Sequence, residues 1–267
     1  MVFAMRTLTI ALLVAGSPAV WAQAPAELPG CEPRPEVRQA IQEKLSAKSL
    51  ANMKFAERAA FRRQVLEELT AKYPREAEPY RLLFQAAKED DIGHYPALVD
   101  RYQKQAEQAP DDPLAQYLAG LALSGRDTAV SIQLLEQARA HDPDFAWPAL
   151  ELAHIYGPGT KRNDKKKAEE AISAFFKACP SSTDEQAQRL LGRAGTTELQ
   201  KRVAEALRAR LTNESDPRRL RAYETLWALE FRTHPPEEQD AVRKQVAADL
   251  ERLAPLQEKP DAEWSSS

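Results

Sequence analysis

The sequence predicts an all-α chain, an α-solenoid of about six antiparallel helix hairpins. Composition is the first ground. Nine Gly stand against nineteen Pro while Ala, Leu, Glu, Gln, Arg and Lys recur throughout, a palette that favours helix and makes sheet scarce. The second ground is spacing, because apolar residues return every three or four positions along most of the chain. The third is a recurring proline at Pro74, Pro110, Pro143 and Pro180, at steps of 36, 33 and 37 residues, each following one helical segment and preceding another. The chain has 267 residues, 43 % of them hydrophobic, with 37 Lys and Arg against 40 Asp and Glu and a net charge of −3. That balance suits a soluble globular protein and argues against a nucleic-acid partner.

Residues 1–22 read as an export leader. Arg6 precedes an apolar run over residues 8–16, and Val20, Trp21 and Ala22 put small or medium side chains where a signal peptidase reads. Cleavage near Ala22 would deliver the chain to the periplasm or beyond, with 36 basic residues left against 40 acidic. The run is shorter than the roughly 20 residues a membrane span needs, and no later charge-free stretch matches it. The mature chain is therefore expected to carry no transmembrane segment. Leu28, Pro29, Gly30 and Cys31 resemble the box of an acylated cysteine, but residues 23–28 separate them from the apolar run. A flexible mature N-terminus over residues 23–34 is expected instead.

The hairpins then follow in order. Residues 35–49 carry Val37, Ile41 and Leu45 at helical spacing, and residues 55–73 carry Phe61, Val65, Leu66 and Leu69. The clearest pair lies in residues 112–143. Its first half, residues 114–123, is small and apolar; Ser124, Gly125, Arg126 and Asp127 supply a turn; Val130, Leu134, Leu135 and Ala138 mark one face of the second helix. In residues 144–180 an insertion, residues 157–163, separates the two helices. Thr183 can cap a helix bearing Leu190 and Leu191, and Gly192 and Gly195 bracket its exit before Leu199, Val203, Leu207 and Leu211. Asp216 and Pro217 fit the cap and first turn of the next helix, striped by Leu220, Tyr223, Trp227 and Phe231. Pro235, Pro236, Glu237 and Glu238 start the last, with Val242, Val246, Leu250 and Leu253 on its apolar face, and it is expected to stop near Pro255. Hairpins thus begin near residues 35, 75, 112, 144, 181 and 216. They make a helical-repeat domain over residues 35–255, clearest over 75–180, followed by a disordered tail over residues 256–267.

Counted back from Pro143, Ala138 is the small residue five before the closing proline, Leu135 the large apolar residue eight before it, and Leu118 the apolar residue of the first helix. Trp147, Leu150, Ala168, Ile172 and Pro180 repeat the pattern in the next unit. These residues resemble the tetratricopeptide repeat family, in degenerate form and of exported bacterial type. The resemblance implies stacked two-helix units whose first helices form a concave wall that binds a protein or peptide. There are departures: Ser131 stands where alanine is usual, Glu151 where glycine is usual, and Gly120 lies one position late. The positions of the family's carboxylate clamp hold Gln116, Gly120, Pro148 and Leu152, so that clamp is not expected.

His94, His141, His154 and His234 form neither HExxH nor an i, i+4 pair, so no metal site is expected. There is no GxSxG nucleophile turn and no glycine-rich phosphate loop, so neither an enzyme nor a cofactor is expected. Cys31 and Cys179 would both enter an oxidising compartment, where they either form one bridge or remain two isolated thiols. The candidate partner contacts are Tyr80, Phe84, Gln116, Tyr117 and Tyr156 on the first helices; the plainer reading is that such residues pack between helices. Lys161 and Arg162, followed by Lys165, Lys166 and Lys167, make either a solvated face or a contact for an anionic partner. The expected function is that of a non-catalytic scaffold or adaptor in the periplasm or cell envelope that binds a protein or peptide. The alternatives are the helical forepart of an exported thioredoxin-like redox protein, its catalytic domain lying outside this chain, and a cell-wall polymer binder.

Overall fold

The computed structural model of the chain describes residues 30–257 apart from 47–49, 51–52, 214–215 and 217; the expected leader, residues 23–29 and residues 258–267 lie outside the described residues. Among the described residues there are twelve α-helices and no strand, as the all-α expectation requires. They are α1 Pro35–Lys44, α2 Phe55–Lys72, α3 Ala77–Glu89, α4 Tyr95–Gln108, α5 Pro113–Leu123, α6 Thr128–His141, α7 Trp147–Tyr156, α8 Lys165–Ala178, α9 Glu185–Ala194, α10 Thr197–Leu211, α11 Arg219–Thr233 and α12 Gln239–Gln257. No described helix is long and apolar enough to cross a membrane.

Short polar side chains set five of the twelve described helix starts. Asp112, Asp127, Asp164, Asp184 and Thr196 each accept a backbone N–H of the first turn, at 2.9 to 3.1 Å. Several boundaries differ from the expected ones. Helix α1 ends at Lys44, short of residue 49. Asp184 rather than Thr183 caps α9; Thr183 is buried, with its hydroxyl facing the Arg218 guanidinium. Asp216 is not the cap residue of α11, which is Arg218. The Asp216 carboxylate holds Arg210 and accepts the Arg218 N–H at 2.8 Å, so α11 starts only at Arg219. A 3-10 turn, Pro236–Glu238, precedes α12, which runs past Pro255 to Gln257, so the expected tail begins with two helical residues.

Most consecutive helices pack as neighbours, α9 and α10 being the exception, and one apolar core runs from Val65 to Leu253. The pairs α5–α6 and α7–α8 are the closest packed, as the repeat reading expects. Elsewhere the phase shifts. Helix α3 packs more extensively on α2 than on α4, and α10 more extensively on α11 than on α9. Two of the sequence's departures explain each other in α5–α6. A Cβ on Gly120 would lie 2.8 Å from Leu135 Cγ, so the glycine lets α6 approach, and Ser131 Oγ donates to the Gly120 carbonyl at 2.7 Å.

Residues 31–38 run across the stack and tie distant helices together. Cys31 and Cys179 are bridged, with Cα atoms 5.3 Å apart, which settles their pairing and leaves no Cys31 thiol for acylation. Glu32 accepts from Arg210 Nη1 at 2.6 Å and lies 3.4 Å from Arg38 and 3.6 Å from Arg218. Arg34 pairs with the buried carboxylate of Glu76 at the start of α3. The expectation of a flexible segment through residue 34 is therefore corrected for its described part: a covalent bond and a charge network fasten it to α8, α10 and α3.

Candidate partner-binding face

The first helices of successive pairs, α3, α5, α7 and α9, pack in a row. They do not present the expected aromatic wall. Tyr80 and Phe84 lie edge-on to Tyr102, with ring centroids 5.8 and 5.1 Å apart, and Tyr117 lies edge-on to Phe145 at 5.3 Å. All three are buried, as are Gln116 and Tyr156, whose ring lies under the Lys167 ammonium. Five of the seven predicted contacts thus belong to the core, and only Lys161 and Arg162 are exposed. The reason is enclosure: every residue of α5 from Leu114 to Leu123 is buried, so that helix has no open side on which to display a ring.

Two recurring positions account for the polar groups on these helices. The fourth residue of a helix reaches back to the carbonyls that precede it. Tyr80 Oη donates to Pro74 O at 3.2 Å, Gln116 Nε2 to Pro110 O at 3.0 Å, Gln188 Nε2 to Ser182 O at 2.6 Å and Gln200 Nε2 to Gly195 O at 3.2 Å. These side chains satisfy acceptors that helix ends leave open, so Tyr80 and Gln116 are turn clasps.

The fifth residues, Arg81, Tyr117 and Glu151, form a polar row that sequence reasoning missed. The Arg81 guanidinium lies 4.2 Å from the Trp147 ring, bonds to Glu78 at 2.9 Å within its own helix, and crosses to Asp184 at 3.2 Å and Gln186 at 3.3 Å on the α9 side. Burial alone would lower its pKa; Glu78, Asp184 and Glu151 outweigh that and hold it above the ordinary arginine value. Burial, then the Glu151 charge, raises the Tyr117 hydroxyl well above its usual range. A signal was present: the three residues recur at steps of 36 and 34, in phase with the prolines. Aligning units by helix start rather than by consensus residue would have found them.

The row opens towards the C-terminal end. Between α9 and α11 lies a groove of about 230 Å³, lined by Glu185, Gln188, Arg221, Glu224, Thr225 and Arg232, with buried Leu229 at its floor. Arg221 and Glu185 face each other across it at 3.6 Å. Gly192 makes room at one end, because a Cβ there would sit 2.5 Å from Arg232 Nη1. On the other side of α11 a cleft of about 490 Å³ has two buried carboxylates in its wall. Asp249 accepts from Trp227 Nε1 and Gln245 Nε2, each at 3.0 Å, and Glu230 pairs with Arg208. Both acids are thus satisfied internally. Among the described residues no group of three or more His, Cys, Asp or Glu side chains could hold a metal ion. No protein-family model matches the chain, and no curated protein matches it.

Proposed function

We propose that the chain is a non-catalytic scaffold or adaptor of the periplasm or cell envelope, a tetratricopeptide-like stack that takes a protein partner at the groove between α9 and α11. The observation that carries this reading is the groove's place and lining. It lies where the row of first helices parts, and it combines an apolar floor at Leu229 with charged and hydroxyl side chains around it, the apolar-centre, polar-rim pattern of a protein contact. The Cys31–Cys179 bridge supports export, because structural disulfides persist in oxidising compartments. The test is a photo-crosslinking residue placed at the exposed Glu224 in the groove or, as control, at the exposed Arg202 on α10. A protein adduct from Glu224 alone is the expected result, and Arg221→Glu should weaken it by about tenfold. Equal labelling at both positions, or at neither, rules the groove out.

A further inference from the structure

The insertion at residues 157–163 is a built loop. Thr160 Oγ1 lies 2.8 Å from the Ile155 carbonyl and accepts the Asn163 N–H at 3.1 Å; the Asp164 N–H bonds to Tyr156 O at 3.0 Å. Gly159 and Asn163 take positive φ values of 86° and 25° to close it. This platform presents Lys161, Arg162, Lys165 and Lys166 to solvent. Lys166 approaches Glu170 at 3.8 Å, while the other three have no ion pair among the described residues. Asp164, the acid among them, is spent on capping α8. Lys165, Lys166 and Lys167 occupy the first three positions of that helix, where the dipole favours acids and a cation costs about 0.3–1 kcal/mol. Helix stability alone would not choose these residues. Arg126, in the equivalent turn of the preceding pair, and Arg193, in the last turn of α9, are also exposed, so an exposed cation stands at the end of three successive first helices, the basic edge.

We propose that this edge binds a linear polyanion whose phosphate or sulfate groups repeat along its length, a contact separate from the protein-binding groove. Lysines act as point charges without a directional fork, which suits a run of anions better than one chelated group. No large apolar side chain is exposed within residues 157–167 to enter a bilayer, which argues for a polymer over a lipid surface. The probe is heparin, titrated against the mature chain at low and at physiological ionic strength. The native protein should bind, and binding should weaken as salt rises. Lys161→Glu, Arg162→Glu and Lys165→Glu together should lower affinity about tenfold or more without lowering the melting temperature, since an acid at the first position of α8 suits the dipole. A matched triple, Lys104→Glu, Lys177→Glu and Lys244→Glu, should stay within about twofold of the native protein. Absence of heparin binding, undiminished binding by the loop triple, or equal loss in both triples overturns the proposal. So does retention on phosphatidylglycerol vesicles without heparin binding. Arg221→Glu tests the groove alone, so the two readings fail separately.

Discussion

From α3 to α7 the first helices are enclosed and Arg81, Tyr117 and Glu151 fill the face between them, whereas between α9 and α11 a groove stays open. The fifth helix position differs between the two regions. Arg81 crosses to the start of α9, but Arg189, at the same position of α9, turns back to Glu185 on its own helix at 2.6 Å. Arg81 bonds to Glu78 on its own helix and also reaches a distant one, whereas Arg189 bonds to Glu185 on its own. The same architecture can therefore be core in one stretch and surface in another.

The contrast can be broken most directly by truncating one leucine in each region. Leu135→Ala, in the closed part, should cost about 3–5 kcal/mol in urea unfolding, while Leu229→Ala, beside the groove, should cost about 2 kcal/mol because its surroundings can relax into open space. Equal losses would mean that the two regions are equally well packed. Reducing the Cys31–Cys179 bridge should cost about 2–4 kcal/mol, since it closes a separation of 148 residues, and should free residues 31–34 to proteolysis before any helix melts. Gly120→Ala forces a methyl against Leu135 and should destabilise by about 1–3 kcal/mol, whereas Gly192→Ala meets only the end of the Arg232 side chain and should cost less. Ser131→Ala should remove about 1 kcal/mol by leaving the Gly120 carbonyl without its hydroxyl donor.

The smallest effect concerns acid. Hydrogen bonds from Arg210 hold the Asp216 carboxyl below its ordinary range. Its contribution is complete above the unfolded value of about 3.9 and is lost as the pH falls through the lower folded value. Asp216→Asn should therefore flatten part of the melting-temperature decline below about pH 4 and leave the neutral-pH slope unchanged.

Much of the helical framework was legible, because caps and apolar spacing act over a few residues. Asp112, Asp127 and Asp164 stand where a short acceptor meets the N–H groups of a first turn. The candidate site was less legible. Tyr80 and Gln116 are on first helices, as expected, but whether such a helix faces solvent depends on how tightly the stack curls, and α5 is enclosed on every side. Thr183 and Asp216 show the same gap at a helix start. Each has good capping chemistry, and each is engaged by an arginine remote in sequence or by a turn of the backbone.

By itself the sequence determined that the chain is helical, where its periodic breaks fall and which loop carries its basic run, since these follow from composition, propensity and short-range hydrogen bonding. Only the tertiary structure decided that Cys31 meets Cys179, that Arg81 reaches Asp184, and that the stack closes over its aromatics before parting between α9 and α11. Those outcomes accumulate from small rotations between successive helices, and such rotations are set by side-chain packing across interfaces that no local pattern encodes.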